Sequence, residues 1–253
     1  EIPLRLVGSE MCIRDRILQI AVPSIISNIT VPLLGLIDVT IVGHLGSPAY
    51  IGAIAIGGML FNIIYWIFGF LRMGTSGMTS QAYGQHDLNE INRLLIRSVG
   101  VGLFIALCLL ILQYPILNAA FTLIQTTEEV KQLATTYFYI CIWGAPAMLG
   151  LYGFAGWFIG MQNSRFPMYI AITQNIVNII ASLSFVYLLD MKVAGVAAGT
   201  LIAQYAGFFM AILLYMRYYS TLRKRIVWKD IIQKQAMYRF FRVNRDIFFR
   251  TLC

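Results

Sequence analysis

Charged residues cut the chain into six apolar runs, each long enough to cross a lipid bilayer as a helix. The runs fall at 17–43, at 49–71 up to Arg72, and between Arg97 and Glu128 with the most apolar part near 99–117. The remaining three lie between Lys131 and Arg165, between Arg165 and Asp190, and between Lys192 and Arg217. Spanning ~30 Å of hydrocarbon takes ~20 residues at ~1.5 Å each. A membrane β-barrel would instead show ~10-residue strands of alternating polarity. These runs do not alternate, so the expected class is all-α, a polytopic membrane protein with six transmembrane helices. Composition agrees, with 59% hydrophobic and 12% charged residues, against about 25% charged in soluble domains.

Lys and Arg set the expected orientation. The loops joining runs 1–2, 3–4 and 5–6 hold only Lys131 and Lys192. The loops joining runs 2–3 and 4–5 hold Arg72, Arg93, Arg97 and Arg165, and ten more cations follow from Arg217 onward. Positive residues stay on the cytoplasmic side. Both ends of the six-helix unit are therefore expected in the cytoplasm, with the unit in the cell (inner) membrane. Residues 17–218 form this lobe. Residues 1–16 lack the long apolar core and small-residue cleavage site of a signal peptide, and are expected to be a non-native leader. Residues 219–253 read as a basic amphipathic cytoplasmic linker, with Trp228, Ile231, Ile232 and Gln235 at helical spacing. The final RVNRDIFFRTLC reads as the start of a truncated seventh helix. The net charge of +8 belongs with a membrane surface, so no nucleic-acid partner is expected.

Asp38 is the acid that sits deep in an apolar run, within ILQIAVPSIISNITVPLLGLIDVTIVGHLG at 17–46. A charged side chain at membrane depth costs about 2.5–3.5 kcal/mol on insertion scales, so such a residue points to function. Asp38 lies roughly 8 Å from the outer end of its helix. Asn178 and Ser182 are four apart in the fifth run and share a face. Thr200 in the sixth run and Tyr137 in the fourth lie at a similar depth, roughly 11 Å from the outer end. Four runs thus place polar groups in the outer half of the membrane, as a wet cavity around Asp38 requires. Helix-to-helix hydrogen bonding is the plainer role for Asn178, Ser182 and Thr200. It is a poor account of a carboxylate.

An acid beside a wet cavity can gain a proton from one side and lose it to the other. Ionised, it can equally hold Na⁺ or attract a cationic substrate. Pro23 and Pro32 each remove a backbone hydrogen bond, so the first helix can bend and serve as a conformational hinge. Nothing points to an enzyme, a cofactor or a resident metal. Cys12, Cys108, Cys141 and Cys253 have no paired or ligand spacing. His44 fits an outer turn, His86 a solvated loop, and GTSGMTSQAYGQ lacks the GK[ST] of a phosphate loop.

Five stretches, in order, resemble one family. AVPSIISNI with LIDVTIVGHLG is similar to the first helix of multidrug and toxic compound extrusion (MATE) transporters. FGFLRMGTSGMTSQAYGQHD at 68–87 resembles the end of their second helix and the following loop. WGAPAMLGLYGFAGWFIGMQNSRFPM at 143–168 resembles the fourth helix and its loop. QNIVNII and VAGVAAGTLIAQY resemble the fifth and sixth. The likeness covers residues 17–253 and is nearest to the DinF-like branch.

The resemblance implies twelve helices in two six-helix lobes, of which this chain holds the N-terminal one and lacks the C-terminal one. It implies export of small cationic amphipathic drugs, driven by H⁺ or Na⁺. Asp38 matches the family's first-helix acid, Asn178 its fifth-helix asparagine, and Tyr137 and Thr200 further polar positions. Pro23 matches the proline that kinks. Some relatives carry a second acid where this chain has Ser182, which leaves the choice of coupling ion open. Two rivals stand beside this expectation. A flippase for lipid-linked precursors would line its cleft with several Lys or Arg, which these runs lack away from their cytoplasmic ends. A passive six-helix channel or structural subunit has no need of a buried acid.

Overall fold

The structure is a computed structural model, and it describes residues 18, 21–23, 25–26, 29, 35–44, 46–223 and 234–252. Residues 35–43 form the helical segment α1. Then follow α2 (Pro48–Ile67), α3 (Phe70–Gly84), α4 (Leu88–Ile111), α5 (Gln113–Leu123) and α6 (Glu128–Cys141). A tight 3₁₀ turn over Ile142–Gly144 leads into α7 (Ala145–Gly160), then α8 (Arg165–Leu183) with a wide π turn at Ser184–Leu188. The chain continues as α9 (Lys192–Tyr218), the short α10 (Ser220–Arg223) and α11 (Lys234–Leu252). Among the described residues there is no strand.

Five of these helical stretches are long and apolar enough to cross a membrane: Pro48–Gly84, Leu88–Ile111, Glu128–Gly160, Arg165–Leu188 and Lys192–Tyr218. They coincide with the second to sixth apolar runs. Part of the first run (17, 19–20, 24, 27–28 and 30–34) lies outside the described residues, as do the leader 1–16, Pro32, Trp228, Ile231 and Ile232. The fold is all-α, and the protein is a membrane protein.

Local chemistry explains where the helices start. Ser47 is extended, and its hydroxyl accepts from the Ala49 N–H at 3.3 Å, with Pro48 at the first helical position where no donor is needed. The Asp87 carboxylate accepts from the N–H groups of Asn89 and Glu90 at 3.1 and 3.0 Å. His86 turns the chain sharply just before it, with φ 56°. This cap corrects one sequence expectation. The loop between the second and third runs was expected to extend to Arg97, but α3 and α4 leave only residues 85–87 between them. Arg97 can enter the helix because its Nη1 donates to Glu90 Oε1 at 2.8 Å.

In lipid no water-driven force pulls helices together, so close backbone approach and packing must hold them. α7 is the central post. A Cβ on Gly150 would collide with Phe208 of α9, and one on Gly153 would meet Ser98 and Val99 of α4. A Cβ on Gly156 would strike the Arg72 carbonyl of α3, and one on Gly160 would lie 2.8 Å from the Ser76 carbonyl. Trp157, Phe158 and Phe154 of α7 form one aromatic core with Tyr215 of α9. Trp157 Nε1 donates to the Ile91 carbonyl at 2.9 Å, and Tyr215 Oη donates to Asn92 Oδ1 at 2.6 Å. A second core joins Phe61 and Tyr65 of α2, Tyr137 and Phe138 of α6, and Val193 to Ala197 of α9. The polar site is built on this second core.

Candidate functional site

Asp38 is 5% exposed, and its Oδ1 has no hydrogen-bond partner among the described residues. It borders a hollow of about 560 Å³ whose walls are Gly35, Asp38 and Val39 of α1, a stripe of α2, and Tyr137 of α6. The α2 stripe includes Ala55, Met59, Asn62 and Trp66. Asp38 therefore lines an open hollow between α1, α2 and α6. Tyr137 is held by close packing: Gly57 of α2 leaves room for its ring, and Phe61 meets it edge-on at 6.4 Å.

Behind Tyr137 the polar row continues. Its side chain reaches Thr200 and Cys141, and it stands near Asp38. Asn178 is fully buried, and its Nδ2 donates to Thr200 Oγ1 at 3.0 Å. Thr200 Oγ1 donates in turn to the Val196 carbonyl at 3.0 Å. Asn178 Oδ1 and Ser182 Oγ are both buried without a partner among the described residues. Ser182 packs on Gly199, at a seam between α8 and α9 where a Cβ would collide. The row can thus accept a proton or supply neutral oxygens to a small cation. Asp38 and Tyr137 line the hollow; Asn178, Thr200 and Ser182 stand behind them and are not on its wall.

Of the two hinge candidates, Pro23 is buried within helical residues 21–23, while Pro32 lies outside the described residues. His44 Nδ1 donates to the Thr40 carbonyl at 2.8 Å, closing the last turn of α1. The described residues contain no cluster of His, Cys, Asp or Glu able to hold a metal.

Sequence inspection missed the α2 wall. Met59, Asn62 and Trp66 recur at helical spacing, and Asn62 is the one amide side chain between 49 and 71. That signal was available. It was hidden because a charge-free run looks uniformly apolar when only carboxylates are sought.

The fold and the site define a polytopic helical membrane protein with a buried acid at a hollow between helices. Comparison with known proteins narrows this. The MatE family matches residues 23–184, and the chain belongs to that family. It is 35% identical over 243 residues to DNA damage-inducible protein F of Escherichia coli (strain K12), covering 92% of this chain and 51% of that protein. It is 28% identical over 205 residues to Multidrug and toxin extrusion protein 1 of Danio rerio, covering 79% and 33%. A crystal structure of MATE in the bent conformation superposes with a TM-score of 0.83 at 20% identity, covering 91% of this chain and 51% of that one. The chain spans about half the length of the first of these relatives and of that structure.

Proposed function

We propose that this chain is the N-terminal lobe of a secondary active exporter of cationic amphipathic compounds, driven by H⁺ or Na⁺, with Asp38 as the coupling carboxylate. The observation that carries the proposal is the position of Asp38: buried, with one oxygen unpartnered among the described residues, and lining a hollow between helices. A carboxyl group so placed has few partners of its own and is free to exchange one for an incoming ion. Relatives named for multidrug and toxin extrusion support the substrate class.

In this reading Tyr137, Thr200 and Asn178 form the polar wall that receives Asp38 in one ionic state and releases it in the other. Ser182 adds a hydroxyl one turn further along α8. Trp66 and Met59 supply apolar and aromatic surface for a lipophilic cation, since an aromatic face attracts positive charge. Pro23 and Pro32 let the first helix bend as Asp38 changes partners. The lobe sits in the inner membrane with both its ends in the cytoplasm, as its Lys and Arg are distributed. The stretch after Tyr218 links it to a second six-helix lobe, whose first helix begins within α11.

The test uses the full two-lobe transporter in inverted membrane vesicles. Export of a fluorescent lipophilic cation is followed under an imposed proton gradient, then under a sodium gradient. Wild type exports under at least one gradient, and Asp38→Asn loses export by at least about tenfold, as removal of an ion-coupling group predicts. Equal export by the two proteins would remove Asp38 from the mechanism.

A further inference from the structure

A second hollow, of about 560 Å³, opens between α11 and the turn that joins α3 to α4. Its walls carry charges of both signs: Asp87 and Glu90 at the start of α4, Arg239 and Arg242 on α11. Glu90 is already engaged by Arg97 and Arg93. Asp87 is not: its cap on α4 uses Oδ1 and leaves Oδ2 uncommitted among the described residues. Arg239 and Arg242 are three apart, so they are neighbours on the helix surface. Neither pairs with a carboxylate of a described residue. Two cations and one anion therefore line the hollow without a counter-ion among the described residues.

A third hollow, of about 400 Å³, continues the same groove between α4 and α11. Glu90 and Leu94 of α4 line the charged hollow, and Val101 and Ile105 line the next. These four positions share one face of α4, because eleven residues make about three turns. The third hollow is apolar, with Phe68, Phe104, Phe241 and Phe248 among its walls. α11 is held in place by a specific seat. Phe240 and Asn244 are buried, and Asn244 Oδ1 fills the space that a Cβ on Gly74 of α3 would take. Phe248 meets Phe70 edge-on at 5.6 Å.

The bilayer sets the depth of both hollows. α9 has 27 residues, roughly 40 Å, which matches a bilayer with its headgroups. Tyr215, near the end of α9, bonds Asn92, which also donates to the Leu222 carbonyl. Asn92 is two residues from Glu90. The charged hollow therefore lies at headgroup level, on the side assigned above to the cytoplasm. From Glu90 to Val101 is roughly 16 Å at helical rise, about half of the ~30 Å of hydrocarbon. The apolar hollow thus lies within the adjoining leaflet.

We propose that the groove between α4 and α11 seats one phospholipid with a primary ammonium head, phosphatidylethanolamine. Its phosphate lies between Arg239 and Arg242, its ammonium donates to Asp87, and an acyl chain fills the apolar hollow. The planar arginine fork suits a phosphate. A choline head has no N–H to donate, and a glycerol head has no positive charge to answer Asp87. The site needs only the membrane placement of the fold, and it stands whichever ion drives the exporter.

The experiment titrates the full two-lobe transporter in detergent with phospholipids of identical dioleoyl chains, and native mass spectrometry reads the bound lipid. Ethanolamine, choline and glycerol heads are compared, with glycerophosphoethanolamine as a competitor that has no chains. The ethanolamine lipid is expected to bind at least about fivefold more tightly than the other two. Arg239→Ala combined with Arg242→Ala lowers its affinity about tenfold, as loss of charged phosphate contacts predicts. Arg250→Ala, on α11 but outside both hollows, changes it by less than about twofold. Asp87→Asn keeps a side chain able to cap α4. It therefore decides the matter if the arginine variant does not fold, and it is expected to lose the preference for ethanolamine over choline. Equal binding of the three heads overturns the proposal, and so does tighter binding of the glycerol lipid. Equal losses in Arg250→Ala and the paired variant mark a basic helix on a charged surface and overturn it too. Displacement of the lipid by an equal concentration of the chain-free competitor removes the apolar hollow from the site. Absence of bound lipid shows that another part of the transporter fills the groove, and the proposal fails.

Discussion

Asn178 Nδ2 on α8 donates to the Thr200 hydroxyl on α9 at 3.0 Å, and that hydroxyl donates to the Val196 carbonyl on the same helix. The bond fixes the direction of the Asn178 amide, which leaves its Oδ1 buried and uncommitted. A hydrogen bond between membrane helices contributes ~0.6 kcal/mol on average and at most ~1.7. Thr200→Val keeps the shape and removes the hydroxyl, so it is expected to lower stability by about 1 kcal/mol. Thr200→Ser restores the bond. Thermal unfolding in detergent checks the pair; equal melting of Thr200→Val and wild type would show the bond to be without weight.

The seam between α7 and α3 has no spare volume. A Cβ on Gly156 meets the Arg72 carbonyl and the Thr75 side chain, and neither can move far because both belong to a packed helix. Gly156→Leu is therefore expected to abolish the folded lobe, and Gly156→Ala to lower its stability by more than about 1 kcal/mol. Gly77, one helix away, has nothing within 4 Å of its Cβ position. Gly77→Ala should be neutral or stabilising by up to about 1 kcal/mol, because alanine loses less freedom in a helix. Yield of monodisperse protein for the three variants tests the contrast.

At the opposite end, Asn92 joins three elements. It accepts from Tyr215 Oη at 2.6 Å and donates to the Leu222 carbonyl at 2.8 Å. Tyr215→Phe leaves Asn92 Oδ1 buried with one partner fewer, for a loss of about 1 kcal/mol. Asn92→Leu removes both bonds. The double variant should lose less than the two single variants together, since the second change removes a group already orphaned. A double-mutant cycle on unfolding free energies reads this directly, and strict additivity would show that the two side chains act independently.

Much of the fold could be read from the spacing of charges, because a residue such as Arg165 or Lys192 cannot sit in hydrocarbon unpaired. The same rule misplaced the start of α4. Arg97 looked like a boundary, yet pairing with Glu90 lets it lie inside the helix. Asp38 stood out because a carboxylate in an apolar run is costly. Asn178, Thr200 and Tyr137 followed from depth alone. The seat of Gln204 did not, since its Oε1 occupies the space that a side chain at Gly144 would take. Glycine at one position cannot announce which distant amide it makes room for. Ser182 shares the α8 face of Asn178, and its hydroxyl packs on Gly199 at the tight α8–α9 seam.

The Glu90–Arg97 pair should respond asymmetrically to substitution. The Arg97 side chain is 1% exposed and that of Glu90 31%, with 2.8 Å between them. Glu90 also lies 3.8 Å from Arg93. Removing the carboxylate takes one anionic partner from a buried guanidinium, and breaking a fully buried pair costs about 3–5 kcal/mol. Because Glu90 is partly exposed, water screens part of that, and Glu90→Leu is expected to lose about 2 kcal/mol. Arg97→Met is a different case. It removes the buried charge, fills similar volume, and leaves Glu90 in reach of solvent and of Arg93. Replacing a buried ion by a packed apolar side chain is often neutral, so Arg97→Met should unfold within about 1 kcal/mol of wild type. Unfolding of both variants in the same detergent checks the prediction. A larger loss for Arg97→Met than for Glu90→Leu would mean that the guanidinium holds the lobe together through contacts other than this carboxylate.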